Sequence, residues 1–338
     1  MNAPSVEQVP SAEPILWVRD LHVHYPVRAG AFRKRRVVRA VDGVSFDVRS
    51  AEVLALVGES GCGKTSIARA VMRLVEPAAG QIVFRGRDVT HLRGEELRRL
   101  RAEFQMVFQD PYESLDPRQT VFDTVAEPLA IHGRAPSLDE RRALVFRALE
   151  RAGLYPPEEI ARRYPHHLSG GQRQRVAIAA AMVLDPGLVV ADEPVSMLDV
   201  SLRAGILKLM LELREQRDLA YLFITHDLSL AWVVADRIAV VYLGRIVEIG
   251  PAADVISSPH HPYTKALVSV IPVPEAGHAT EQILLTGETP SPTSIPRGCR
   301  FAPRCWLRRE KGDPPECTAA DPTLLPANEE HTAACHFA

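Results

Sequence analysis

Gly58-Glu-Ser-Gly-Cys-Gly-Lys-Thr65 is the stretch on which the fold turns. It fits the pattern G-x-x-x-x-G-K-[ST]. The apolar run Val53–Val57 precedes it and reads as a strand, and a helical run, Lys64–Val75, follows. Glycines let such a backbone curl so that successive N–H groups point inward at phosphate oxygens. The helix N-terminus adds partial positive charge. Gly58, Glu59, Ser60, Gly61, Cys62, Gly63, Lys64, Thr65 and Ser66 are therefore candidate nucleotide-binding residues. Lys64 is placed to reach the β- and γ-phosphates, and the Thr65 hydroxyl to meet Mg²⁺. Cys62 reads as a small loop residue, with no basic partner nearby in sequence to make it a catalytic thiol.

Working outward, a second apolar strand, Leu188–Ala191, ends in the carboxylates Asp192 and Glu193. Phosphoryl transfer is mostly positioning and charge stabilisation. An acidic strand end is thus the natural complement of a phosphate cradle: Asp192 to hold Mg²⁺, Glu193 to polarise an attacking water. Leu168-Ser-Gly-Gly-Gln172 opens an apolar helix, Arg173–Leu184. Ser169 is a good N-cap, and Gly170 and Gly171 bare the first-turn N–H groups, giving a second anion-binding helix end. Further strand-like runs are Ile15–Val23, Val37–Val48 with turn residues at Asp42-Gly43, Gln81–Phe84, Leu219–Thr225 and Arg237–Tyr242. Helical runs at Glu95–Arg101, within 120–165, at Leu202–Glu215 and at Leu228–Val234 alternate with them. The alternation predicts an α/β fold with a largely parallel sheet.

The chain has 338 residues and a net charge of −2, so its overall charge does not suggest a nucleic-acid binder. The longest apolar run, Val176–Leu184, is far short of the ~20 residues that span a bilayer. The N-terminal MNAPSVEQVPSAEP lacks the basic and apolar parts of a secretory signal, so a cytosolic chain with reduced thiols is expected. Beyond Gly250 the texture changes. Of 27 prolines, 13 fall in 251–338, and so do four of the five cysteines.

Taken together, these motifs resemble those of an ABC-transporter ATP-binding subunit. Gln109 in FQDPYESLDPR resembles the Q-loop glutamine of that family, Ser196-Met-Leu-Asp199 its D-loop, His226 in ITHD its switch histidine, and Tyr25 the aromatic that stacks on adenine. YPVRAGAFRKRRVVRAVDGVSF, VFQDPYESLDPR, DEPVSMLDVS, His261-Pro-Tyr-Thr264 and GCRFAPRC resemble the second ATPase subunit of oligopeptide/dipeptide importers. The resemblance implies a P-loop NTPase fold with a helical subdomain at about 110–185 and an antiparallel β subdomain. A flexible N-terminus (1–14), an ATPase domain (15–250) and a small irregular C-terminal segment (251–338) are expected.

The activity implied is ATP hydrolysis with Mg²⁺, energising import of oligopeptides or dipeptides. Nickel, glutathione or oligosaccharide cargo, or a soluble ABC ATPase outside transport, are the alternatives. Glu193 would act as base, His226 would contact the γ-phosphate, and Gln109 would join Thr65 and Asp192 near the metal. In that family two subunits face head to tail, so Ser169, Gly170, Gly171, Gln172 and Asp199 would serve the partner's nucleotide. Two permeases, a second related ATPase in a heterodimer and an extracytoplasmic binding protein are the implied partners. The place implied is the cytoplasmic face of the membrane, bound peripherally.

Ala51 stands where the family usually has Gly, Met197 where it has Ala, and Ala180 where an Arg is common. The basic run Arg33–Arg36 reads as a solvated loop. The tail cysteines, spaced C-x5-C-x11-C-x17-C at Cys299, Cys305, Cys317 and Cys335, match neither common zinc nor ferredoxin spacing. A similar segment in some peptide-importer ATPases carries a [4Fe–4S] cluster. A cluster, zinc and free thiols are all open readings here. The tail is expected to tune stability or pairing and to take no part in hydrolysis.

Overall fold

The computed structural model describes residues 14–27, 36–271, 282–328 and 330–338. Residues 1–13 of the expected N-terminal arm and positions 33–35 of the basic run lie outside these.

Two sheets form. β1 (Pro14–Val27), β2 (Arg36–Arg49), β4 (Ala79–Phe84) and β5 (Arg87–Asp88) make an antiparallel sheet in the order β2-β1-β4-β5. β3 (Val53–Val57), β6 (Phe104–Val107), β7 (Leu188–Asp192), β8 (Ala220–Thr225) and β9 (Arg237–Tyr242) form the parallel centre of a second sheet. Its far edge is built by β10 (Arg245–Pro251), β11 (Leu325–Pro326) and β12 (Thr332–Ala333), all antiparallel, giving β11-β12-β10-β9-β3-β8-β7-β6.

The central strands are largely apolar, and β3 is so at every position, because both faces are covered. Side chains alternate between faces with period two. Leu54, Leu56, Leu222 and Ile224 pack with β1, β2 and β4 in one core. Val53, Ala55, Val57, Tyr221 and Phe223 pack in the other, with the helices Val121–Ile131, Leu138–Arg151 and Gly170–Met182. The chain thus inserts its helical layer between β6 and β7 and returns to the sheet.

The structure departs from the sequence reading at definite points. Asp42-Gly43 is no hairpin turn. β2 runs through it, and the register slips from the Leu21–Val44 pair to the His22–Asp42 pair, leaving Gly43 as a bulge at φ 88°. The helix expected to reach Val75 ends at Val71, because Arg73 turns left-handed at φ 54° and Leu74 N–H returns to Arg69 O. Ala51 occupies φ 56°, the conformation for which glycine is suited, ahead of Glu52. Strand β6 was not anticipated: Gln105 breaks its apolar run, and only pairing with β7 reveals it.

The C-terminal residues are tied into this frame by buried polar groups. Glu248 on β10 is fully buried and accepts hydrogen bonds from His260 N–H (2.7 Å) and His261 N–H (2.9 Å). His331 Nε2, just before β12, lies 2.7 Å from the same carboxylate. His261 in turn caps the Pro262–Ser269 helix, its Nδ1 accepting Tyr263 N–H at 3.1 Å. Burial pushes the His261 imidazole down to about 3, with Lys265 adding in the same direction. The folded state therefore holds His261 neutral while the unfolded chain protonates it near its ordinary value.

The contribution to stability is complete above about pH 6.5 and is lost as pH falls from there toward the folded value. His261→Asn keeps a good N-cap and does not titrate. The stability advantage of the unsubstituted protein over this variant is expected to shrink below pH 6, by up to ~1.4 kcal/mol per pH unit. Urea unfolding of both proteins between pH 7 and 4.5 measures it, and parallel pH profiles would contradict it.

Candidate nucleotide site

The carboxyl ends of adjacent parallel strands converge on one edge, where open α/β sheets place their ligands. Gly58 follows β3, Gln109 follows β6, Glu193 follows β7 and His226 follows β8. Gln109, Glu193 and His226, together with Val38, Ala40, Glu59, Ser60, Gly61, Gly63, Lys64, Thr65, Ser66 and Pro292, line a cavity of about 600 Å³.

The loop's backbone is imposed by its surroundings. A Cβ on Gly58 would lie 2.2 Å from Val241 O, and one on Gly63 would lie 2.2 Å from Ala40 O. Gly61 and Gly63 adopt φ 79° and 110°. Lys64 is 5% exposed. Its ammonium donates to Gly58 O (2.7 Å) and Glu59 O (3.0 Å), and Cys62 Sγ lies 3.7 Å away. Among the described residues no carboxylate pairs with it. A buried cation held only by neutral acceptors is the electrostatic complement of an anionic ligand. Cys62 is buried, and that burial raises its thiol, with Lys64 opposing. It remains a packing residue of the loop.

Thr65 Oγ1 donates to Asp192 Oδ1 at 3.2 Å, so a hydroxyl and a carboxylate meet beside the loop. These hard oxygen donors suit Mg²⁺. Burial pushes the Asp192 carboxyl above its ordinary range; the Thr65 hydrogen bond opposes this and the Glu193 charge adds to it. Glu193 sits at φ 46°, a strained turn that aims its carboxylate back over the strand ends. Gln109 Nε2 donates to Glu193 Oε2 at 3.1 Å, and His226 Nδ1 lies 3.2 Å from Oε1. Glu193 thus touches both of the other side chains predicted to serve hydrolysis.

Other predicted residues lie apart from the cavity lining. Tyr25 reaches the start of the loop helix, its hydroxyl donating to Ser66 Oγ at 3.4 Å. Ser169 and Gln172 form a capping box: Gln172 N–H donates to Ser169 Oγ (3.3 Å) and Ser169 N–H to Gln172 Oε1 (3.0 Å). Gly170 and Gly171 face Leu198 and Leu202. Asp199 stands at the N-cap of the Val200–Glu215 helix without a side-chain cap bond. This second helix end belongs to a different part of the surface from the cavity.

Sequence reasoning missed that the tail reaches the loop. Tyr263 Oη accepts Glu59 N–H at 3.0 Å, Arg304 and Thr289 bind the Glu59 carboxylate, and Pro292 lines the cavity. The quoted His261-Pro-Tyr-Thr264 run contained the signal for Tyr263.

The [4Fe–4S] expectation finds no support. No three tail sulfurs lie within 4.8 Å of one another, and among the described residues only His22, His24 and Asp42 form such a group. Burial raises all four thiols, Cys299 to about 12. The cysteines serve locally instead: Cys305 Sγ accepts Arg308 N–H at 3.4 Å, and Cys299 N–H donates to Cys317 O at 2.9 Å.

Residues 41–196 match the model of the ABC transporter family, and residues 247–311 that of the oligopeptide/dipeptide transporter C-terminal region. The chain is 45% identical to the oligopeptide transport ATP-binding protein AppF of Bacillus subtilis, over 96% of this chain and 98% of that protein. It is also 45% identical to the dipeptide transport ATP-binding protein DppF of Haemophilus influenzae, covering 96% of each. Among solved structures, cbiO1 of Clostridium perfringens, part of the ABC transporter complex cbiONQ, superposes with TM-score 0.61 at 28% identity, covering 72% of this chain and 91% of that one. A dimeric ATP-binding cassette in a post-hydrolysis state with ADP and Pi gives TM-score 0.62 at 28% identity, covering 70% and 98%.

Gly58→Ala forces the loop away from Val241 O and is expected to weaken ATP binding about tenfold or more, an overpacking cost. Equilibrium titration with a fluorescent ATP analogue measures this, and undiminished affinity would show that the loop does not need this closeness.

Proposed function

The chain belongs to the ABC transporter ATP-binding proteins of the oligopeptide/dipeptide transport family, and we propose that the cavity at the sheet edge is its catalytic half-site. The protein is an ATPase subunit that binds ATP with Mg²⁺ and energises peptide import as part of an ABC transporter complex. The observation that carries the residue assignment is the buried, uncompensated Lys64 beside the Gln109–Glu193–His226 contact set.

In this reading Lys64 and the loop N–H groups hold the phosphates, and Thr65 and Asp192, with Gln109 nearby, would hold Mg²⁺, which would supply charge neutralisation. Glu193 orients and deprotonates the attacking water. His226 holds Glu193 in place and faces the γ-phosphate, and Gln109 relays occupancy of the site to the rest of the transporter. Tyr25 stacks on the base.

The Ser169–Gln172 helix end and Asp199 complete the nucleotide site of a second, related ATP-binding subunit, paired head to tail. Three observations support the pairing. The two anion-binding ends lie apart within one chain. Met197, Val200 and Leu202 are exposed apolar residues beside the second end. A cassette of like fold is dimeric with ADP and Pi. Closure on ATP then acts through contacts made only in the closed state.

Among the described residues no helix is long and apolar enough to cross a membrane. Two permease subunits would supply the membrane path and an extracytoplasmic binding protein the cargo. This chain would sit peripherally on the cytoplasmic face, with residues 15–250 as its ATPase domain, about 110–185 as the helical part and 251–338 as the C-terminal segment.

Lys64→Ala is expected to abolish ATP turnover and peptide uptake in the assembled transporter; unchanged uptake would remove the loop from the mechanism. Glu193→Gln is expected to bind ATP and slow hydrolysis about a hundredfold or more, the scale of a lost general base. Phosphate release assays read the rate, and wild-type turnover would reassign the base.

A further inference from the structure

Glu59 places a carboxylate in the second position of a loop built to receive a polyphosphate. Unopposed, that charge works against the ligand, since like charges a few ångströms apart at low effective dielectric repel strongly. The structure shows what opposes it. Arg304, 8% exposed, grips Glu59 with both arms of its guanidinium, Nη1 to Oε2 at 2.9 Å and Nη2 to Oε1 at 3.1 Å. Thr289 Oγ1 donates to Oε2 at 2.7 Å and accepts from Arg304 Nη1 at 3.0 Å.

The backbone of the same residue is held from two sides. Its N–H goes to the buried Tyr263 hydroxyl (3.0 Å), and its carbonyl accepts from Lys64 Nζ (3.0 Å). Tyr263, Thr289 and Arg304 all come from the C-terminal segment, and Pro292 of that segment lines the cavity while its carbonyl accepts Arg39 N–H at 3.2 Å.

We propose that the C-terminal segment sets the charge of the phosphate loop: Arg304 cancels and turns aside the Glu59 carboxylate so that Lys64 meets the phosphates without a competing anion. Arg304 is a positioning residue, acting through Glu59. Burial would raise the Glu59 carboxyl, but the hydrogen bonds of Arg304 and Thr289 hold it below its ordinary range, so at neutral pH the carboxylate is charged and the arginine is needed. A bidentate guanidinium–carboxylate pair is well suited to hold this geometry.

The proposal rests on reading this loop as the ATP site, and the experiment separates the two. ATP affinity is measured by titration of full-length chain with a fluorescent ATP analogue, with thermal unfolding of each variant alongside. Arg304→Gln frees the Glu59 charge and is expected to weaken binding on the order of tenfold. Adding Glu59→Gln removes that charge, and the double variant is expected to return to within about threefold of the unsubstituted protein. A purely structural role for Arg304 gives no such recovery.

Arg304→Lys keeps the charge while losing the two-armed grip, is expected to lose less than about tenfold, and serves as the test should the neutral variant not fold. Unchanged affinity in Arg304→Gln, a double variant as weak as the single one, or a tenfold loss in Arg304→Lys would overturn the proposal. Lys64→Ala binding ATP as tightly as the unsubstituted protein would overturn the ATP-site reading itself.

Discussion

One buried cation organises the molecule. Lys64 is enclosed by its own loop and held by two carbonyls, with no carboxylate in ion-pair contact among the described residues. Desolvating a charge without a counter-charge is costly, and a protein that keeps one has use for an anion. Everything around Lys64 serves that arrangement. β3 is buried on both faces and fixes where the loop begins. Val241 and Ala40 press close enough that only glycine fits at positions 58 and 63. The strand ends on one side bring Asp192, Glu193, His226 and Gln109 to the same edge.

The division of labour between the two anion-binding helix ends follows from the same constraint. The first is surrounded by carboxylates, a histidine and a glutamine. The second, after Leu168, has a satisfied capping box and exposed apolar neighbours. The chain carries both, in keeping with membership of a family whose activity is ATP-driven transport. The C-terminal segment is structurally continuous with this engine. Its strands extend the main sheet through Glu248 and His331, and its side chains reach the loop at Glu59.

Much of this was legible in the sequence because it is local. Strand, glycine-rich loop and helix follow one another within 53–71, and the Ser169 cap and Gln172 lie three residues apart. Helix Leu228–Val234 and strand Arg237–Tyr242 end where their apolar patterns end. What escaped depends on residues distant in sequence. β6 is a strand because β7 lies beside it. Asp42-Gly43 looks like a turn until β1 pairs across it. Arg304 and Glu59 are 245 positions apart, and no spacing rule connects them. The tail cysteines gave a composition signal that suggested a metal centre, whereas in the structure no three of their sulfurs lie within 4.8 Å of one another.

The central claim is that this cavity is built for phosphate charge centred on Lys64, with the base of the nucleotide secondary. Thermal unfolding in Mg²⁺ with ATP, pyrophosphate or adenosine at matched concentration tests it most directly, since a ligand stabilises the folded state in proportion to its occupancy. The account predicts that ATP and pyrophosphate both raise the midpoint and that adenosine alone leaves it nearly unchanged. Stabilisation by adenosine equal to that by ATP, with none from pyrophosphate, would contradict it.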